Sequence, residues 1–200
     1  VSLSEYRKKR NFAKTPEPAG RLRALHRGRT FVVQKHSASH LHYEFRLEVG
    51  GVLASWAIPK GPSMNPRQKR LALRTENHPL EYATFEGVIP EGEYGAGVVM
   101  VWDKGDYRPQ HDESIEVQLA NGKIEFVLDG VKLRGGFALI QIAARSGRRD
   151  QGDAWLLIKQ KDEFAATSWN IEQASLDRSV MTGRTLEEIA EGRSRRQRGP

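Results

Sequence analysis

No cysteine occurs in this chain, which rules out structural disulfides and thiolate metal sites. A metal would have to be held by His, Asp, Glu or water. No apolar run is long enough to span a membrane, and no secretory apolar segment stands near the start. Hydrophobic residues make up 38% of the 200 residues, and the mean hydropathy is -0.61. These values suit a water-soluble chain in the cytoplasm. The length suits one domain with tails and a real core. No internal repeat is present.

Acidic charge is scarce at the two ends. The formal net charge is +7 and the isoelectric point is about 9.8. Arg7, Lys8, Lys9, Arg10, Lys14, Arg21, Arg23, Arg27 and Arg29 face only Glu5 and Glu17 in the first thirty residues. A basic arm of this kind is an electrostatic footprint for a polyanion, and Tyr6 and Phe12 give it something to dock with. The C-terminal run Arg-Ser-Arg-Arg-Gln-Arg reads as a solubilising tail.

Long amphipathic helices are also missing. Instead, short strand signals recur: Thr30 to Gln34, His40 to Glu48, Val52 to Ile58, Lys69 to Thr75, Val98 to Trp102, Lys123 to Leu128, Lys132 to Ile142 and Ala154 to Lys159. Gly50-Gly51 and Asp129-Gly130 read as hairpin turns. Leu71 and Leu73 share one face of their strand. This pattern predicts an all-β fold, a compact closed barrel of about eight strands. The arm is expected over 1–28, the barrel over 29–165 and a linker or tail over 166–200. One helix is expected, Thr185 to Glu191, where Thr185 and Glu188 form a capping-box pattern.

The stretch from His36 to Arg46 is the most informative. From Leu41 onward it alternates: Leu41, Tyr43, Phe45 and Leu47 fall on one face, and His42, Glu44 and Arg46 on the other. Two imidazoles and a carboxylate form a common divalent-metal set. An arginine beside them is a natural clamp for phosphate oxygens. If Ser37-Ala38-Ser39 turns or bulges, His36 can meet His42. The plain alternative is a solvated face, although Lys, Glu, Thr and Ser are more usual there. A second group, Asn77-His78-Pro79-Leu80-Glu81-Tyr82, leaves His78 and Tyr82 near a strand end; alone, it reads as surface. The third, Pro90-Glu91-Gly92-Glu93-Tyr94-Gly95-Ala96-Gly97, precedes a strand and not a helix. It reads as a structural turn and not a phosphate loop. Lys60 reads as a phosphate contact or an ordinary surface lysine.

Phe31-Val32-Val33-Gln34-Lys35-His36, Leu41-His42-Tyr43-Glu44-Phe45-Arg46-Leu47-Glu48 and Trp56-Ala57-Ile58-Pro59-Lys60-Gly61-Pro62-Ser63 together resemble the 3′-phosphoesterase domain of bacterial DNA ligase D. The resemblance continues through His78-Pro79-Leu80-Glu81-Tyr82, Phe85-Glu86-Gly87, Ile89-Pro90 and Gly92 to Gly97, and covers most of residues 5–160. It implies a β-barrel with its active site in a crescent groove. It implies a Mn²⁺-dependent hydrolase, with Co²⁺ another metal such a site accepts. The reaction implied is DNA 3′-end healing in non-homologous end joining: a 3′-terminal ribonucleoside is removed, then the 3′-phosphate, leaving a 3′-OH. By resemblance His36, His42 and Glu44 are metal ligands, Arg46 and His78 bind the scissile phosphate, and Tyr82 lies beside them. Gln34, Lys60 and Arg70 match substrate-contact positions, and Arg10 and Glu17 match arm residues needed for activity. The implied partners are DNA or RNA/DNA 3′ ends, with Ku and a DNA ligase or polymerase, at the nucleoid. Residues 179–190 are similar to the segment that leads into the ligase module, so a free-standing relative or an excised domain is expected.

Two positions depart from that pattern: Glu44 stands where aspartate is usual, and so does Asn11. Glutamate is one methylene longer yet still supplies a hard oxygen ligand. Two rival readings come from the residues alone. His40-Leu41-His42 with Glu44 suggests a cupin-like iron oxygenase, against which stand the basic charge and Arg46. A non-catalytic nucleic-acid-binding barrel would show several aromatics on the groove face, and here those of the key strand lie opposite.

Overall fold

Alternation with a period of two governs the structure, a computed structural model that describes residues 2–20, 29–142 and 153–192. The C-terminal basic run and Arg21, Arg23 and Arg27 lie outside the described residues. The strands are β1 (Thr30–Ser37), β2 (Leu41–Val49), β3 (Val52–Ile58), β4 (Lys69–Arg74), β5 (Gly87–Ile89), β6 (Gly97–Pro109), β7 (Lys123–Gly130), β8 (Arg134–Gln141) and β9 (Ala154–Lys159). They hydrogen-bond in the order β1-β2-β3-β4-β9-β8-β7-β6, and antiparallel pairing of β1 with β6 closes the ring. The result is a closed eight-stranded antiparallel barrel, with β5 added beside the start of β6.

The inward residues fill the lumen. Phe31, Val33, Phe45, Leu47, Trp56, Trp102, Phe126, Phe137 and Trp155 form one buried cluster. Phe126 stacks on Phe45 and Phe137 at 5.9 and 6.3 Å between centroids. Each such ring removed from water contributes about 1.5–3 kcal/mol. In β4 the inward residue is Ala72, and Leu71 is exposed. Ala72 lies opposite Trp155, which meets Trp56 edge-on at 5.7 Å.

The Gly50-Gly51 turn forms as expected. Val49 pairs with Val52, and φ is +56° and +80° at the two glycines, the positive values a two-residue hairpin turn requires. Asp129-Gly130 instead belongs to β7, and the turn falls on Val131-Lys132-Leu133. Asp103 sets it there, because its carboxylate accepts from the Val131, Lys132 and Leu133 amides at 3.0, 3.0 and 2.8 Å. β6 also runs seven residues past Trp102, through a polar and glycine-containing stretch that gives no strand signal.

Helices are short: α1 (Ser4–Lys8), α2 (Ile115–Ala120) and α3 (Leu186–Ala190). The capping box is present at α3, with Thr185 and Glu188 bonded reciprocally. α1 and α2 add to the single helix expected. Among the described residues the segment after β9 adds no strand, yet Ile171 and Ile189 join the core. A second, smaller cluster lies on the outside of the wall. There Val32, Leu53 and Val101 meet Tyr82 and, from the N-terminal arm, Tyr6.

Candidate active site on the outer wall of the barrel

The β1–β2 hairpin builds the site. Its register sets His36 opposite His42, Gln34 opposite Glu44 and Val32 opposite Arg46. A turn at Ala38-Ser39-His40, not a bulge, brings the two histidines together, with ring centroids 4.8 Å apart. Since Tyr43, Phe45 and Leu47 point into the lumen, His42, Glu44 and Arg46 must point outward. β3 adds Ser55 directly opposite Arg46.

His36, His42 and Glu44 each offer a ligand atom, and these lie within 4.8 Å of one another. Backbone carbonyls orient both rings: His36 Nε2 meets the Gly95 carbonyl and His42 Nδ1 the His40 carbonyl, each at 3.0 Å. For His36, donation to the carbonyl fixes the tautomer whose Nδ1 keeps a free lone pair. Burial, helped by neighbouring His42, lowers His36 to about 4, so it is neutral and able to ligate. The hydrogen bond to Glu44 raises His42; its Nε2 lies 3.2 Å from Glu44 Oε1. Burial alone would raise Glu44, but Arg46 and then His42 outweigh it and hold it below the usual range. Glu44 Oε2 is buried without a hydrogen bond. A neutral imidazole, a second imidazole and an ionised carboxylate with a spare oxygen fit a divalent cation.

Beside this triad lies a cation-rich floor. Arg46 Nε donates to Gln34 Oε1 at 2.9 Å and Nη1 to Ser55 Oγ at 2.7 Å. Nη1 also lies 2.8 Å from His78 Nδ1, and Nη2 lies 3.6 Å from Glu44 Oε2. His78 Nε2 is 3.2 Å from Arg10 Nη2. Burial first, then Arg46 and Arg10, push His78 well below its ordinary value, so it is neutral. Tyr82 closes the floor, its ring 4.7 Å from His78 and 5.0 Å from the Arg46 guanidinium.

The arm roofs this floor. Tyr6 stands edge-on to His78 at 4.9 Å, and the Arg10 guanidinium lies 3.9 Å over the Tyr6 ring. Glu17 is fully buried. Its Oε1 accepts from Arg10 Nε at 2.8 Å and Tyr82 Oη at 2.9 Å, and Oε2 from Thr15 Oγ1 at 2.9 Å. Burial and then Glu17 raise Tyr82 well above its ordinary value, so it stays a donor. Asn11 makes the arm's turn, its carbonyl accepting from the Lys14 and Thr15 amides.

The structure thus gathers His36, His42, Glu44, Arg46, His78, Tyr82, Arg10 and Glu17. Gln34 is also there, but at 0% exposure it is bonded to Arg46, the Tyr82 carbonyl and the Phe85 carbonyl. Arg70 bonds Gln68 Oε1 at 2.7 Å near the far end of β4, and Lys60 is exposed just past β3. Sequence reasoning missed Ser55, Glu76 and the Gly95 carbonyl. Glu76 binds Lys9 and Arg10, each at 3.1 Å. A lone serine in an apolar strand and a carboxylate two residues before His78 were the available signals. Gly95 acts through its backbone, which no side-chain pattern reveals.

His36, His42 and Glu44 on a barrel wall, next to a guanidinium and a neutral histidine, form a set of groups able to hold a divalent cation and meet an anionic oxygen. The family model for the DNA ligase D 3′-phosphoesterase domain matches residues 34–141. The multifunctional non-homologous end joining protein LigD of Pseudomonas aeruginosa is 47% identical over 195 residues, which is 92% of this chain and 22% of that protein. The LigD DNA repair protein of Mycobacterium tuberculosis is 46% identical over 167 residues, 80% of this chain and 20% of that protein. LigD of Mycolicibacterium smegmatis is 40% identical over 166 residues, 80% and 21% respectively. The chain therefore belongs to the DNA ligase D 3′-phosphoesterase domain family, and it spans about a fifth of the length of these relatives.

Proposed function

We propose that this chain is a Mn²⁺-dependent phosphoesterase that heals DNA 3′ ends for non-homologous end joining. It removes a 3′-terminal ribonucleoside and then the 3′-phosphate, leaving a 3′-OH. The observation that carries the reading is the meeting of His36, His42 and Glu44, with ligand atoms within 4.8 Å, beside Arg46 and neutral His78. Family membership and the LigD relatives support it. His36, His42 and Glu44 would hold the ion, which would neutralise charge on a phosphate oxygen and activate water.

The chain's own groups then do the following. Arg46 presents fixed donors to the phosphate oxygens, and these strengthen as charge shifts in the transition state. Gln34 and Ser55 hold that guanidinium in place. His78 stays neutral between Arg46 and Arg10 and adds a polar contact without further charge. Glu17 holds Arg10 and Tyr82, and so keeps the arm over the phosphate site. Lys60 and Arg70 serve the more distant parts of the substrate. The chain works at breaks in the nucleoid, with Ku and a ligase or polymerase as partners. No helix among the described residues is long and apolar enough to cross a membrane.

The test is turnover of a primer-template ending in a 3′-ribonucleotide or a 3′-phosphate, with Mn²⁺ and with chelator. The expected result is Mn²⁺-dependent conversion to 3′-OH, abolished by chelation. Oxygen consumption with iron in place of phosphate release would restore the oxygenase reading. Tight binding of ends without turnover would restore the binding-module reading.

A further inference from the structure

Glu86 is a buried carboxylate, 3% exposed at its side chain, that none of the chemistry above employs. It lies between the active-site floor and the chain after β9. Its Oε1 accepts from Thr182 Oγ1 at 2.5 Å and Arg184 Nη2 at 3.1 Å, and its Oε2 from the Val101 amide at 3.0 Å. Thr182 and Arg184 lie in a closed turn. The Ser179 amide donates to the Arg184 carbonyl at 2.8 Å, the Gly183 amide to the Ser179 carbonyl at 2.9 Å, and Arg184 Nε to Thr182 Oγ1 at 3.2 Å. The Val180 amide fastens this turn to β6 at the Val101 carbonyl, 3.0 Å away.

We propose that Glu86, tied down by Thr182 and Arg184, is a positioning residue for Arg46, acting through the Phe85 carbonyl and Gln34. The chain of contacts is continuous. Phe85 directly precedes Glu86, and its carbonyl accepts from Gln34 Nε2 at 2.9 Å; the Tyr82 carbonyl accepts from the same nitrogen at 3.0 Å. Two carbonyls demand that Gln34 turn its NH₂ toward them. Its oxygen therefore faces Arg46 Nε, 2.9 Å away. Gln34 is fully buried, so water cannot replace a missing partner. The Tyr82 carbonyl is fixed locally, because it also accepts from the Phe85 amide at 3.0 Å. The Phe85 carbonyl depends on where Glu86 is held. Without Thr182 and Arg184, the buried Glu86 charge keeps one amide partner and is driven toward water, and the Phe85 peptide moves with it. The metal-ligand end of the site has separate supports, the Gly95 and His40 carbonyls, and the lumen packing is not involved.

This inference rests on Arg46 binding the reacting phosphate, so its test includes a readout that needs no turnover. The variant carries Thr182→Val with Arg184→Ala; Arg184→Ala alone takes its place if the pair fails to fold. The Arg46 Nε–H resonance is identified by its loss in Arg46→Lys, and its solvent exchange is followed by NMR. Exchange is expected to quicken at least tenfold in the variant and to stay near the parent rate in Thr182→Ser, which keeps the hydroxyl. Unchanged exchange in the variant overturns the proposal. The second arm measures phosphate release from a 3′-phosphate primer. A fall in kcat of about tenfold is expected, with unchanged Mn²⁺ affinity. In an Arg46→Lys background the same pair of changes should cost nothing more, because lysine has no Nε donor for Gln34. Full additivity overturns the proposal. A parent protein that releases no phosphate refutes the phosphoesterase reading instead, and the exchange measurement still decides this one.

Discussion

Replacing Glu17 with alanine should undock the N-terminal arm while leaving the barrel folded. Glu17 is the arm's central acceptor: Arg10, Tyr82 and Thr15 all donate to it within 2.9 Å. Arg10 is 4% exposed at its side chain, and in the variant Glu76, at 3.1 Å, would be its one remaining carboxylate partner, beside the Tyr6 carbonyl and His78. Removing one partner of a buried, hydrogen-bonded ion pair costs about 3–5 kcal/mol. That cost falls on docking, because none of the three donors belongs to the lumen cluster. At tenfold per about 1.4 kcal/mol, arm opening should become roughly 10²- to 10⁴-fold more frequent. Amide hydrogen exchange read by mass spectrometry over residues 4–18 would show this as loss of protection, while the melting temperature of the barrel stays within about 2 °C of the parent. Phosphate release should fall in parallel, since Arg10 and Tyr6 leave His78. Two results would refute the reasoning. Unchanged exchange in the arm with abolished activity would make Glu17 a participant in the chemistry and not an anchor. A barrel melting transition lowered in step with arm opening would make the arm part of the fold.

His42→Ala is expected to abolish Mn²⁺ binding and both hydrolytic steps with the barrel intact, as calorimetric metal titration and turnover would show; turnover near the parent rate would be fatal to the ligand assignment. Glu44→Asp should remain active, whereas Glu44→Gln should lose Mn²⁺ affinity and activity together. Retained affinity with an abolished rate would place Glu44 on a bound water or a substrate hydroxyl. Arg46→Lys should lower kcat by about 10²-fold or more, because a single ammonium cannot replace the donors at Gln34 and Ser55 and still meet a phosphate; unchanged constants would reduce Arg46 to a structural cation. Deleting residues 1–20 should weaken DNA-end binding and flatten its dependence on salt, by about 0.9 in the logarithmic slope for each phosphate that the arm no longer neutralises. An unaltered slope would count against the arm as a phosphate-binding element.

The barrel was legible because most of its strands carry strict alternation, and the Gly50-Gly51 turn declares itself by residue type. The misreadings share a cause: a distant residue decides a local outcome. Asp103 moves the β7–β8 turn past Asp129-Gly130, and β6 runs on to Pro109 through residues that carry no strand signal, held by pairing with β1 and β7. The outward set His42, Glu44 and Arg46 was readable from β2 alone, since one strand fixes its own faces. What covers that face was not readable. Tyr6 and Arg10 reach His78 across some seventy positions of sequence, a pairing no local pattern encodes. Gln34 is the subtlest case. Its resemblance to a substrate-contact position says nothing of the two backbone carbonyls that occupy its amide.

The two faces of β1 and β2 also limit how this site can change through descent. Each residue there belongs either to the lumen or to the wall, and inserting or deleting one residue would exchange the two sets at a stroke. Imidazoles would then meet tryptophans, and phenylalanines would face the arm. Gains and losses of residues are therefore excluded along this hairpin. The distance between a ligand atom and its ion can be altered only by lengthening or shortening a side chain, one methylene at a time. A glutamate at position 44, where the resemblance implies aspartate, would be one such step.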